Sequence, residues 1–231
     1  MRYTAHDMQY HRQRFEQQKK RRLEIARQNK IIKDAENGMK ITNYVSYKEV
    51  TYSQTAIKND LDNDPTTEQL KLIQETAMQI FDPLRRWVDG PVKINSVFRG
   101  DALNKKIGGS KTSQHCVGLD KSKRSYGSAF DVDDTFGHKT NREMFHWLKD
   151  NVVFDQLIYE FPDADDNNNA RWIHFSYRND GGNRQQMLIA HKINKLDKDG
   201  NVILKKNGKP AQKTKYSLYK GNEVLTQSKV A

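Results

Sequence analysis

The spacing of apolar side chains in the first half of the chain predicts one long amphipathic helix. Apolar residues recur at helical intervals from Leu70 to Trp87, so one side of this helix would face a core. Asp64 is the predicted N-cap, with Pro65 at the first helical position. Pro83 predicts a kink or an early end, because proline removes a backbone donor inside a helix.

Shorter periodic segments follow this helix, and most of them have the alternation that is typical of strands. Two short helices are predicted among them, at Asp101–Ile107 and at 141–152. Because helices and strands are mixed and joined by short loops, we expect an α+β fold in which helices flank a small antiparallel sheet. The predicted strands are Val92–Gly100, 128–134, 154–160, 171–177 and 186–193.

The two ends of the chain differ from its centre in charge. Residues 1–33 and 192–231 each hold ten Lys and Arg against three acids, or +7, so the net +11 leaves 11 − 14 = −3 for the middle. A helix is predicted over residues 5–36, and two Gly turns predict a β-hairpin near the C-terminus. We therefore divide the chain into a basic helical extension (1–40), a central domain (41–193) and a basic β-hairpin tail (194–231).

Composition excludes several classes of protein. No stretch reaches the roughly 20 apolar residues that span a bilayer, and the basic N-terminus is not followed by the apolar core of a secretory signal. The single cysteine, Cys116, excludes a disulfide framework and an all-cysteine zinc site. Since neighbouring strand residues point to opposite faces, Cys116 and His115 are not expected to form a nucleophile–base pair, and Cys116 is predicted to be buried and inert.

Two predicted strands carry polar side chains within apolar sequence. In RWIHFSY, alternation places Trp172, His174 and Ser176 on one face. In SAFDVDD, the same alternation places Asp131 on the strand face opposite to the one that carries Phe130. A carboxylate inside an apolar strand is costly unless it is paired or bound to metal. These residues alone leave both a metal site and a salt bridge to Arg or Lys open.

The region from Tyr44 to Tyr177 resembles peptidase family M15, the zinc D-Ala-D-Ala carboxypeptidases, and in particular its phage-associated members. The resemblance is carried by INSVFRGDALNKKIGGSKTSQH, YGSAFDVDD, FDQLIYE and WIHFSY. The family pattern is Ser-x-His-x-x-Gly-x-Ala-x-Asp, followed much later by Trp-x-His. The residues that fit it are Ser113, His115, Gly127, Ala129, Asp131, Trp172 and His174.

The resemblance implies the site residues. It implies His115, Asp131 and His174 as ligands of Zn²⁺, and Arg99 as the group that holds a substrate carboxylate or stabilises an oxyanion. Ser113 is a further candidate for substrate contact. Asp131 follows His115 by sixteen positions, nine more than in the family pattern. We interpret residues 117–125 as an inserted loop at the rim of the site that gates or selects substrate.

The general base departs from the family pattern. Family members often carry an acid three residues before the last His, and Arg171 occupies that position. If FDQLIYE forms a hairpin with RWIHFSY, Glu160 would face the metal beside His174, and we therefore predict Glu160 as the base. The loop acids Asp163, Asp165 and Asp166 are alternative candidates.

These features predict a zinc-dependent peptidase that hydrolyses peptidoglycan peptide bonds near D-amino acids and is encoded by a phage. The alternative is a structural protein of a phage tail or baseplate that keeps the fold with little or no catalysis. In either case the basic ends would contact phage structural proteins, while nucleic acid is a third candidate partner for them. Without a secretory signal, we expect the protein in a virion or in the host cytoplasm before release, acting at the cell wall.

Overall fold

The protein folds around a six-stranded sheet with helices packed against one face. The computed structural model describes residues 38–118, 127–163, 166 and 168–221, together with residues 16, 19, 20 and 22. The helices are α1 (Tyr47–Thr51), α2 (Gln54–Lys58), α3 (Thr67–Thr76), a π-helical turn (Ala77–Phe81), α4 (Asp82–Val88), α5 (Asp101–Lys106) and α6 (Asn141–Asn151). The strands are β1 (Lys93–Ser96), β2 (Gly127–Asp133), β3 (Gln156–Glu160), β4 (Trp172–Arg178), β5 (Gln186–Asn194) and β6 (Gln212–Leu218).

The strand order is β1-β2-β4-β3-β5-β6, which confirms the α+β class. All neighbouring pairs are antiparallel except β3 and β5, which run parallel. The loops after β3 and after β4 each reverse the direction of the chain, so β5 runs in the same direction as β3. β5 pairs with β3 because both edges of β4 are already occupied, one by β2 and the other by β3. The sheet is therefore mixed, whereas the sequence predicted an antiparallel one.

The long predicted helix is present, but its start and its proline differ from expectation. Thr66 is the N-cap, since its hydroxyl accepts from the Gln69 amide and the Gln69 side chain accepts from the Thr66 amide. Asp64 instead accepts a hydrogen bond from a tyrosine of α1, because Pro65 lies before the helix and the cap is shifted by two residues. The π-helical turn ends at Phe81, two residues before Pro83. It widens the helix there, so the chain continues through the proline.

Aromatic stacking joins the helices to the sheet. Phe130 of β2 lies between Phe81 of the π-helical turn and Phe175 of β4, with ring centroids 5.7 and 5.5 Å away. All three side chains are buried. Because side chains alternate along β2 and β4, this core face leaves Asp131 and His174 on the opposite face of the sheet.

The C-terminal segment lies along one edge of that sheet. β6 pairs antiparallel with β5 along its whole length, from Leu188 opposite Leu218 to Asn194 opposite Gln212. The two predicted glycine turns contain Gly200 and Gly208, which have the positive φ that suits glycine.

The predicted N-terminal helix falls almost wholly outside the described residues. Glu16, Lys19, Lys20 and Arg22 are helical and exposed. No helix within the described ranges has the length and apolar character needed to cross a membrane.

Replacing Phe130 by Ala should lower the free energy of unfolding by about 3–5 kcal/mol, because it removes the ring that stacks between the π-helical turn and β4. Chemical denaturation followed by circular dichroism measures this change. The matched control is Phe136→Ala, since Phe136 is 53% exposed and should lose less than about 0.5 kcal/mol. Equal losses in the two variants would contradict the assigned packing.

Candidate functional site

Three ionisable side chains converge on the face of the sheet opposite the aromatic core. His115, Asp131 and His174 are all buried, and their candidate ligand atoms lie within 4.8 Å of one another. Asp131 of β2 is directly opposite His174 of β4 in the strand register. Paired residues on neighbouring strands face the same side, so the register itself brings the carboxylate and the imidazole together.

His115 reaches this face from a turn. The turn is fixed to the end of β1 by a hydrogen bond from the Arg99 amide to the His115 carbonyl, at 3.0 Å. His115 Nδ1 lies 2.8 Å from the carbonyl oxygen of Val97. Because a carbonyl only accepts, Nδ1 must carry the proton, and Nε2 keeps its lone pair. Cys116 lies in the same turn and is half-buried, so the predictions of a strand here and of a buried Cys116 were wrong.

A chain of hydrogen bonds orients His174. Arg184 makes two side-chain hydrogen bonds to the fully buried Asp155, at 2.7 and 2.6 Å. Asp155 in turn accepts from Gln114 Nε2 at 2.6 Å, so the Gln114 oxygen faces His174 Nε2, 3.3 Å away. His174 Nε2 must then donate, which leaves the lone pair on Nδ1.

Both imidazole lone pairs therefore point at one carboxylate. His115 Nε2 lies 3.2 Å from Asp131 Oδ2, and His174 Nδ1 lies 2.9 Å from Asp131 Oδ1. Two lone pairs and a carboxylate repel one another unless protons or a cation lie between them. Two imidazole nitrogens and one carboxylate oxygen are a donor set that Zn²⁺ accepts, and three protein ligands leave room for a fourth. The residues present therefore fit a zinc ion.

Burial and charge act in opposite directions on these groups. Burial lowers the pKa of His115 despite the neighbouring Asp131 carboxylate, which favours the neutral imidazole that metal binding needs. Burial opposes the ionisation of Asp131, but its contacts with His115 and His174 hold its pKa well below the usual range. The site thus holds one ionised carboxylate next to a neutral imidazole.

Arg99 is a third partner of this carboxylate. Its Nη2 donates to Asp131 Oδ2 at 2.9 Å, and its Nε donates to the Ser96 hydroxyl at 3.0 Å. A β-bulge between Ile94 and Ser96 places Ser96 opposite Asp131, which re-aims the end of β1 towards the site. Arg99 Nη1 has no hydrogen bond to the described part of the chain, so it remains available to a ligand.

Glu160 ends β3 beside this cluster. It pairs with Trp172, two residues before His174 on β4, and so faces the same side of the sheet. Glu160 is a buried residue, and its carboxyl group makes no hydrogen bond to the described residues. Burial raises the pKa of Glu160 to about 7, and the nearby Asp131 adds to this effect, whereas His174, Lys192 and Arg99 oppose it.

The remaining predicted residues lie further from the cluster. Ser113 is half-buried in the turn before His115. Arg171 is exposed and forms a 3.5 Å ion pair with Asp163, while Asp166 accepts a hydrogen bond from Asn169. Asp165 and residues 119–125 of the predicted insertion lie outside the described residues.

The hydrogen-bond chain behind His174 was missed by sequence reasoning. Gln114 occupies the unspecified position of the Ser-x-His motif, and Asp155 precedes β3 next to the apolar Phe154. An acidic residue at the start of a buried strand was the only available signal. Asp155 and its partner Arg184 are 29 positions apart in the sequence, so their pairing depends on tertiary structure.

Glu160→Gln should stabilise the metal-stripped protein at high pH. The pKa of Glu160 is about 7 in the fold against 4.5 for an exposed glutamate, so the contribution of Glu160 to stability falls as pH rises from about 4.5 through 7. At pH 8 the variant should gain on the order of 3 kcal/mol, and near pH 4 the difference should vanish. Urea denaturation in a chelating buffer at both pH values measures it. A pH-independent difference would contradict the burial of an ionisable carboxyl at this position.

Comparison with known proteins agrees with this geometry. The family model described as Peptidase M15 matches residues 43–174, a range that contains every residue of the cluster and Glu160. Searches of curated proteins and of solved structures found no match. The matched range covers more than half of the 231 residues, and the chain therefore belongs to the peptidase M15 family.

Proposed function

We propose that this chain is a zinc-dependent peptidase that hydrolyses peptidoglycan peptide bonds near D-amino acids. His115, Asp131 and His174 would hold the zinc ion. The observation that carries the proposal is the orientation of both imidazole lone pairs towards the buried Asp131 carboxylate. An arrangement in which a cation relieves the repulsion is expected of a metal centre and not of a structural ion pair.

Each neighbouring side chain has a task that its environment supports. When bound, zinc supplies Lewis-acid chemistry that polarises a peptide carbonyl and makes water a stronger nucleophile at neutral pH. Glu160 takes the proton of the attacking water and passes it to the leaving amine. A carboxyl group whose pKa is about 7 suits this exchange, because both of its protonation states are accessible near neutral pH.

Arg99 is positioned to contact both the Asp131 carboxylate and the substrate. One of its nitrogens holds Asp131, which fixes the orientation of that carboxylate. The guanidinium is one-fifth exposed, and its Nη1 makes no hydrogen bond to the described part of the chain. A fixed cation there would bind a substrate carboxylate or stabilise the oxyanion that develops during hydrolysis.

The second candidate function is a structural role in a phage virion with little or no catalysis. Two observations favour it. Arg171, exposed and paired with Asp163, occupies the position where the family often has an acid. The two chain ends are also strongly basic, which suits docking to an acidic partner. The two functions differ in a single measurable property, which is turnover.

The purified protein should bind one zinc ion and release fragments from purified peptidoglycan. His115→Ala should lose both properties, because the cluster would keep only two ligands. Metal content by atomic absorption and fragment release by chromatography measure the two effects, and chelation followed by zinc addition should abolish and restore activity. Zinc binding without any turnover would favour the virion role, and absence of zinc from the native protein would contradict both the ligand set and the enzyme.

Gln114→Met should weaken zinc binding by about 10- to 100-fold while the fold is kept, because it removes the acceptor that fixes the tautomer of His174. Competition with a chromophoric chelator measures the affinity, and circular dichroism reports on the fold. Gln54→Met is the matched control, since Gln54 is exposed at the start of α2. Equal zinc affinity in both variants would show that Gln114 does not orient His174.

A further inference from the structure

The C-terminal strands extend the face of the sheet on which the candidate site lies. Glu160 of β3 pairs with Ala190 of β5, and Ala190 pairs with Tyr216 of β6. Residues paired in this way face the same side, so Glu160, Ala190 and Tyr216 form one row across three strands. The central member is only a methyl group. Ala190 is fully buried, so Glu160 and Tyr216 are the two members of this row that bring a polar group to this face of the sheet.

The Tyr216 side chain is positioned for a ligand and is not used by the fold. It is 53% exposed, and its hydroxyl has no hydrogen-bond partner among the described residues. The negative charges of Glu160 and Asp131 add to burial in raising the pKa of Tyr216, and Arg99 opposes them. The strand register places Tyr216 on the face of the sheet that also carries Glu160.

Lys192 adds a cation on the same face of the sheet, next to this row. It lies two residues after Ala190 on β5 and is opposite Thr214, whose hydroxyl accepts from Lys192 Nζ at 3.1 Å. The ammonium lies 4.2 Å from the centroid of the Phe161 ring, and Phe161 packs edge-on against Trp172. The side chain is thus held by a cation–π contact and one hydrogen bond, while its remaining donors face solvent.

We propose that Tyr216 and Lys192 form a substrate subsite that binds a peptide bearing a carboxylate. The subsite deepens the proposed peptidase function and rests on it. The phenol donates a hydrogen bond to a backbone carbonyl of a peptide bound beside this row, and Lys192 pairs with a carboxylate of that peptide other than its C-terminal one. Both residues lie beyond residue 174, where the family match ends. The proposed subsite therefore extends the substrate-binding surface beyond the matched region.

Tyr216→Phe and Lys192→Gln separate the two contacts. The probes are the pentapeptide L-Ala-D-Glu-L-Lys-D-Ala-D-Ala and the same peptide amidated at its free glutamate carboxylate. Tyr216→Phe should raise KM about five- to tenfold for both peptides with kcat nearly unchanged, because one hydrogen bond is lost. Lys192→Gln should raise KM for the acidic peptide alone, so the preference for it over the amidated peptide should disappear. Lys215→Gln is the control, since Lys215 lies on the opposite face of β6 and should match the wild type.

A binding measurement keeps this inference separable from the proposed function. Calorimetry with zinc-loaded protein reports the affinity for both peptides whether or not they are cleaved. Turnover with unchanged KM and affinity in both variants would overturn the subsite and leave the peptidase intact. Binding without turnover, weakened in the two variants only, would support the subsite and contradict the peptidase. If the wild type binds neither peptide, the subsite is also contradicted.

Discussion

The repulsion among two imidazole lone pairs and one carboxylate is the constraint on which the site depends. Asp131 has His115 on one oxygen and His174 on the other, and Arg99 shares the first of these oxygens. Each histidine is held in its tautomer by an acceptor behind it, namely the Val97 carbonyl or the Gln114 amide. These buried hydrogen bonds keep both lone pairs directed at one point.

The register between β2 and β4 serves the core and the site at once. Asp131 and His174 face each other on one side of the sheet, while Phe130 and Phe175, the next pair along, stack on the other. A slip of one residue would exchange the two faces, so the carboxylate would enter the aromatic core. The aromatic packing that stabilises the domain therefore also fixes the distance between two of the candidate ligands.

The sequence predicted those parts of the fold and site that depend on local pattern. Alternation along two strands was enough to place Asp131 and His174 on polar faces, and the pairing of β3 with β4 placed Glu160 as expected. His115 could be assigned only through resemblance, because a turn residue follows no periodic pattern. Partners distant in sequence could not be foreseen, as the pair of Asp155 with Arg184 shows. The parallel pairing of β5 likewise depended on which sheet edge was still free.

The two edges of the sheet have a consequence for the behaviour of the protein in solution. One edge is β1, which is only four residues long and contains a bulge. The other is β6, on which Lys213 and Lys215 are exposed. Short, bulged or lysine-bearing edges are poor templates for a strand from another molecule. Both described edges of the sheet therefore resist edge-to-edge aggregation at high protein concentration.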